Sequence, residues 1–238
     1  MQFAVQIGFY LAGLSLDVII LAELLRGQWK RYPFVFLYVV GDFLTTAAEI
    51  PFNLELVTPK AQDSYSDIYW IDERIVQVLG FLLVISLVYR ATDHWKPRRT
   101  LLLGVGCATL LFWGITFFLH FDPTVQTGQW MTPWTRDMNF CAVILDLGLW
   151  GLLIGAREKD YKLLMVSGAL GIQFTGNAIG EALRLLSHSL TLFTGFLIPI
   201  AYLSCLFIWS RAFRLPDSPP RRVSRAVPQP EIKQPQPE

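Results

Sequence analysis

The sequence predicts an all-α polytopic membrane protein of seven transmembrane helices, and three observations carry that reading. Hydrophobic residues make up 53% of the 238 and charged residues only 16%, with a mean hydropathy of +0.42, on the membrane side of ordinary globular composition. Apolar stretches near 3–25, 33–55, 67–90, 100–121, 133–156, 162–187 and 190–213 are each long enough to cross ~30 Å of hydrocarbon. Lys and Arg then sort between alternate connections. The segments 26–32, 90–99 and 157–162, with everything from Arg211 onward, hold sixteen of the twenty. The positive-inside rule puts these connections in the cytoplasm, with the N-terminus outside and the C-terminus inside. The expected location is the cytoplasmic membrane of a cell. Residues 1–214 form the bundle.

Helix 1 carries Gln6, Tyr10, Gly13 and Asp17 on one face. Its first basic residue is Arg26, so a cleavable signal with a charged start is not expected and the run stays as helix. The turn RGQWKRY leads to Pro33, a residue suited to the first turn of helix 2. Helix 2 shows Asp42, Thr45, Thr46, Glu49 and Asn53 on its polar face. Pro51 is expected to free the Ala47 carbonyl and kink the far end.

The stretch TPKAQDSYSD reads as a polar loop, with Ser66 or Asp67 capping helix 3. That helix bears Asp72, Glu73, Arg74 and Gln77 in its first third. Helix 4 is the least polar, with Thr109, Trp113, Thr116 and His120 on a shared face. Helix 5 offers Asn139 and, at mid-depth, Asp146.

Helix 6 is the most distinctive. Gln173, Asn177, Glu181 and Arg184, followed by His188, form one narrow polar stripe, and Gly176 and Gly180 lie beside it. Small residues at that spacing allow close helix packing in a membrane, and the stripe should face the bundle interior. Helix 7 has Thr191, Thr194, Tyr202 and the helix-bending Pro199. The tail, 215–238, is Pro-rich and basic at its start, the composition of a disordered cytoplasmic segment whose arginines can touch anionic headgroups.

Tryptophans fit the two interfaces: Trp29, Trp95 and Trp209 inside, Trp70, Trp130 and Trp134 outside. Cys107, Cys141 and Cys205 lack metal spacing and read as small buried apolar residues. Helices 1–3 and 5–7 would share an orientation if helix 4 is a linker. Asp17 then pairs with Asp146, Tyr32 with Tyr161, Glu49 with Glu181, and Arg90-Ala91 with Arg211-Ala212. The offsets are unequal, so a parallel 3+1+3 repeat needs gaps.

Depth divides the polar groups into two layers. Glu49, Asn53, Glu73, Arg74, Glu181 and Arg184 lie nearer the outside and, with Asn177 of the midplane, are candidates for an outward-facing pocket that binds a small polar ligand. Asp17, Asp42 and Asp146, near mid-membrane, are candidates for a proton relay. A charge at the bilayer centre costs at least ~2.5 kcal/mol, so these acids need a partner, water or a proton. The alternative is that the same groups bond one another and set helix register, at ~0.6 kcal/mol per bond.

No cofactor or metal is expected. There is no HExxH and only three His, against zinc-protease and multi-histidine chemistry. A haem-ligand pair is likewise unsupported. Helix 7 has no lysine for a retinal Schiff base, no GxSG serine site appears, and the basic connections are too short for nucleic acid. The partners expected are membrane lipids, a small polar ligand and a cytoplasmic protein that receives the signal. The leading reading is a ligand-binding or sensor-type protein. A small-solute or proton-coupled transporter is the alternative, with an integral-membrane enzyme third.

The segments LLRGQWKRYPFVFLY, YWIDERIVQVLGFLLVISLVYR and LIPIAYLSCLFIWSRAF resemble those of a group of uncharacterised bacterial, acidobacterial-type seven-helix membrane proteins. The resemblance covers most of residues 1–214 and implies the seven-helix fold. It brings no activity to any residue. In architecture alone the chain is similar to seven-helix sensors and to 3+1+3 sugar-transporter-like proteins.

Overall fold

A long apolar segment in hydrocarbon must satisfy its own backbone, which leaves helix as the form open to it. The computed structural model contains helices and no strands among the described residues, which are 2–53, 59–92, 98–125, 127–155, 161–186 and 191–215. Side chains are described for all of these except 2–4, 6, 51–53, 59–73, 98, 127–128 and 191–192. Seven helices are long and apolar enough to span a membrane. They are α1 (Gln2–Glu23), α2 (Pro33–Asn53), α3 (Pro59–Ala91), α4 (Arg98–His120), α5 (Thr127–Gly155), α6 (Tyr161–Leu186) and α7 (Thr191–Arg214).

Two boundaries depart from the expectation. The stretch read as a polar loop with a cap at Ser66 or Asp67 is helical from Pro59 onward. Proline suits a first helical position because the N–H it lacks would go unbonded there. The 33 residues of α3 rise ~50 Å, more than the hydrocarbon needs, and the apolar window is confined to Arg74–Ala91. Helix α5 begins at Thr127 rather than near 133, which places Pro133 inside it. Helix α2 stays helical through Pro51 to Asn53. The tail from 216 onward lies outside the described residues.

The turn after α1 is a single wide helical turn, Leu24–Gln28, closed by the Trp29 N–H on the Leu24 carbonyl at 2.8 Å. Gly27 adopts φ 127° within it, a left-handed backbone that glycine enters without a Cβ penalty. Between α4 and α5, the Asp122 carboxylate accepts from the Thr124 N–H at 2.9 Å and from its hydroxyl at 2.6 Å, a local side-chain turn.

Helix packing closes a ring. Helix α1 packs on α2 and α7, α2 on α3, α5 on α6, and α6 on α7, while α3 meets both α5 and α6. Helix α4 packs on α3 and α5 from outside. Its Leu103, Leu110, Leu111, Phe118 and Leu119 are exposed, the lipid-facing surface of a membrane helix. Thr109 and Thr116 are buried on the opposite face, and their hydroxyls bond the Val105 and Phe112 carbonyls of their own helix.

Glycines set the closest approaches. A Cβ at Gly176 would collide with that of Ala201, and one at Gly180 would come within 2.5 Å of Ile198 Cγ1. The GxxxG of α6 therefore serves the α6–α7 contact. About two turns before Gly176, Gly168 accommodates the Trp150 ring, with a Cβ there 2.8 Å from Cζ2, so α6 carries small residues toward α5 as well.

Among the described residues, the buried apolar core is asymmetric along the helix axes. Buried large apolar residues are Ile20 and Leu24 at the end of α1, Val35, Tyr38 and Val39 at the start of α2, and Phe81, Leu83, Val84, Leu87 and Val88 late in α3. The same is true of Leu149 and Leu153 late in α5, Leu163, Val166 and Leu170 early in α6, and Leu206, Trp209 and Phe213 late in α7. All lie in the half that bears the basic connections. In the other half, Met138 and Phe174 are the large buried apolar side chains among the described residues.

This apolar plug is tied at its end. Gln28 donates to the Phe213 carbonyl at 3.0 Å and accepts from the buried Lys162 ammonium at 3.1 Å. The Arg90 guanidinium bonds the Arg31 carbonyl and lies 4.1 Å from the Tyr32 ring centroid. Trp209 is fully buried inside the plug, its indole N–H on the Val166 carbonyl at 3.0 Å. It does not stand at the lipid interface as expected, because a buried carbonyl offers its N–H a better partner than the headgroup region. Cys107 is exposed on α4 rather than buried, since its face is not covered by another helix.

Candidate functional site

Directly beyond the plug, three helices bring polar side chains together at mid-depth. Asp17 of α1 and Asp42 of α2 are both buried, at 0% and 7% exposure, and both face Tyr202 of α7. The Tyr202 hydroxyl lies 2.5 Å from Asp42 Oδ2 and 3.3 Å from Asp17 Oδ2. The ring reaches them because Gly13 leaves room: a Cβ there would sit 3.2 Å from Tyr202 Cε1. A phenol has one proton to donate, so one hydroxyl serves two carboxylates.

Tyr38 joins this layer to the plug. It sits one turn before Asp42 on α2, and its ring meets Trp209 edge-on with centroids 5.6 Å apart. Its hydroxyl accepts from Gln173 Nε2 of α6 at 2.7 Å. Three oxygens of the layer are buried without a hydrogen-bond partner among the described residues: Asp17 Oδ1, Gln173 Oε1 and Asn177 Oδ1. Among these residues neither Asp17 nor Asp42 makes an ion pair with Lys, Arg or His.

Asp146 lies apart from this group, between α5 and α6. Its Oδ1 accepts from the Ser167 hydroxyl at 3.2 Å. Its Oδ2 rests where a Cβ of Gly171 would be, 2.5 Å from that position.

The more peripheral candidates divide among helix interfaces. Arg184 pairs with Glu181 at 3.0 Å on its own helix and reaches the Thr194 hydroxyl of α7 at 3.4 Å. Arg74 extends to α5, with Nη2 2.6 Å from Thr135 Oγ1 and the guanidinium 5.3 Å from the Trp134 ring centroid. It also bonds Gln77, which donates to Asn139 of α5 at 3.4 Å. Glu49 stands on α2 two turns beyond Asp42 and is partly exposed. The side chains of Asn53 and Glu73, with those of Gln6, Asp72 and His188, lie outside the described residues. His120 bonds Asp137 at 2.8 Å, and Asp137 in turn accepts from Arg136 at 2.7 Å. No cluster of three or more His, Cys, Asp or Glu able to hold a metal occurs among the described residues.

Sequence reasoning singled out both acids of the central pair but gave Tyr38 no role. The signal was present: Tyr38 and Asp42 are i, i+4 neighbours on one helix face. Ser167, the partner of Asp146, carried no such signal, because one serine in an apolar run is ordinary.

The magnitudes show what the layer lacks. An interhelical hydrogen bond in a membrane contributes ~0.6 and at most ~1.7 kcal/mol, while a buried charge costs at least ~2.5. One tyrosine bond therefore does not hold two carboxylates as anions. The pair needs a positive charge, from a proton or from something bound. No protein-family model, curated protein or solved structure matches the chain.

Proposed function

We propose that the chain is a binding protein of the cell membrane whose mid-depth polar layer receives a small polar ligand from outside. The observation that carries this reading is the asymmetry of the core. Large apolar side chains close the half near the basic connections, and the polar side chains begin where the plug ends. By the positive-inside rule the plug is cytoplasmic and the polar half faces out. Asn177, Glu181 and Arg184 follow one another along α6 from the layer toward that end. A sensor would pass the bound state through α7 and the Gln28–Lys162–Phe213 contacts to a cytoplasmic partner.

The test is thermal stability of the purified protein against a panel of polar metabolites, wild type beside Glu181→Gln and Arg184→Ala. A ligand that binds the folded state raises the midpoint by mass action, by the equivalent of ~2.7 kcal/mol at a hundred times its dissociation constant. A compound that stabilises wild type and not the folded variants supports the reading. A panel without effect, with both variants melting early, makes the outer groups structural ties.

One observation favours a proton-coupled transporter as a second reading. Asp17 and Asp42 share a single hydroxyl proton, and Asp146 is a further buried acid between α5 and α6. The position of α4 outside the α1–α2–α3–α5–α6–α7 ring suits a linker between two three-helix halves, the 3+1+3 arrangement. Flux into liposomes that Asp146→Asn weakens would select this reading. Saturable binding without flux selects the sensor.

A further inference from the structure

We infer that the Asp17–Asp42–Tyr202 cluster, with Gln173 and Asn177, is a binding site for a small monovalent cation, an alkali ion or a primary ammonium group. This rests on the reading of the polar layer as a ligand site and names the class of ligand.

The side-chain inventory excludes the simpler way of completing the layer. A proton added to either carboxylate supplies one donor and satisfies one acceptor. The layer has three buried oxygens still to satisfy, on Asp17, Gln173 and Asn177. Gln173 is 6% exposed and Asp17 fully buried, while Asn177 is partly exposed. Gln173 and Asn177 are one turn apart on α6 and face the same way. The Gln173 amide N–H₂ is already turned to Tyr38, which leaves its oxygen as the free end.

The donor set also points to the charge. The buried unbonded atoms of the layer are all oxygens, two carboxylates stand among its groups, and no basic side chain pairs with either among the described residues. Hard oxygen donors suit alkali ions, and an ammonium brings N–H donors to a layer of oxygen acceptors. An anionic ligand would add a third negative charge beside two. A neutral ligand would leave the carboxylates uncompensated. The orphaned indole N–H groups, Trp113 and Trp134, lie on α4 and α5 and belong to a different part of the bundle.

The experiment is the thermal midpoint of the detergent-purified full chain at fixed pH and constant ionic strength. N-methyl-D-glucamine chloride is replaced stepwise by NaCl, KCl or ethylammonium chloride. At least one series is expected to raise the midpoint saturably, and which one does so separates the alkali ion from the ammonium. Asp17→Asn and Asp42→Asn should each weaken the apparent affinity at least tenfold, while Ser204→Ala, whose hydroxyl bonds only its own helix, stays within twofold. Asn177→Leu, at a partly exposed position, keeps the test open if the aspartate variants do not fold, and should weaken binding at least threefold. Three series that superimpose on the N-methyl-D-glucamine baseline overturn the inference, as does a shift that survives Asp17→Asn unchanged. A neutral metabolite that stabilises the protein when no cation does leaves the layer a binding site and removes this inference alone.

Discussion

The Tyr202 hydroxyl donates to Asp42 at 2.5 Å and so fastens the middle of α7 to the middle of α2, two helices that each pack on α1 between them. The same oxygen is 3.3 Å from Asp17 of α1. One phenol thus links three helices at the boundary between the apolar plug and the polar half.

Removing that phenol should loosen the bundle where it is most polar. Tyr202→Phe is expected to lower stability by ~1–2 kcal/mol, since it removes an interhelical bond and leaves two buried carboxylates without a donor. Ser204→Ala, two residues away, removes only a bond to its own helix at Ile200 and should change stability by less than ~0.5 kcal/mol. Unfolding in detergent, followed by near-ultraviolet circular dichroism, separates the two.

Close packing of α6 on α7 predicts a steep size dependence. Gly176→Leu places a side chain where Ala201 already sits, and overpacking of this kind costs ~1–3 kcal/mol or more. Gly148→Leu on α5 meets nothing within 4 Å and should be nearly neutral. Equal losses in the two variants would mean that α6 and α7 are not in this contact.

Arg74 holds α3 to α5 through a planar group. Its guanidinium bonds both Gln77 and Thr135 and lies over Trp134. A lysine there brings one compact charge and no fork. Arg74→Lys should therefore recover less than half of the stability lost in Arg74→Ala, which we expect to be ~1–2 kcal/mol. Full recovery by lysine would reduce the role of Arg74 to its charge.

Lys162 is buried at 6% exposure and donates to Gln28. Lys162→Met keeps the apolar stem and removes the ammonium, so it should release the α1–α2 turn from α6 while leaving the core packed. Faster amide hydrogen exchange at residues 28–32, with unchanged exchange in α7, is the expected pattern. Uniform acceleration throughout would show a loss of global stability instead.

Much of the architecture was legible because hydrophobic length is a direct physical requirement. The seven spans and the Gly176–Gly180 contact follow from spacing, whereas of the polar stripe of α6 Gln173 is buried but Arg184 is exposed. The start of α3 was not legible, because TPKAQDSYSD has the polarity of a loop and helix continuation past the apolar window leaves no hydrophobic mark. Trp209 was misplaced for a related reason. An indole near a helix end reads alike whether it meets headgroups or a buried carbonyl, and only the path of α6 beside it decides. The Glu181–Arg184 pair was visible as i, i+3 spacing on one helix. The meeting of Asp17, Asp42 and Tyr202 was not, because it depends on three helices whose order around the ring no single segment records.

The central claim, a polar layer open on one side and plugged on the other, is tested most directly by thiol accessibility in oriented vesicles. Cys107, Cys141 and Cys205 are first replaced by alanine. Asn177→Cys and Leu170→Cys are then probed with a membrane-impermeant maleimide from each side. The account predicts that Asn177→Cys reacts from the side of the α6–α7 connection, is protected from the opposite side, and that Leu170→Cys reacts from neither. Reaction of Asn177→Cys from the side of the basic connections, or of Leu170→Cys from either, would contradict it.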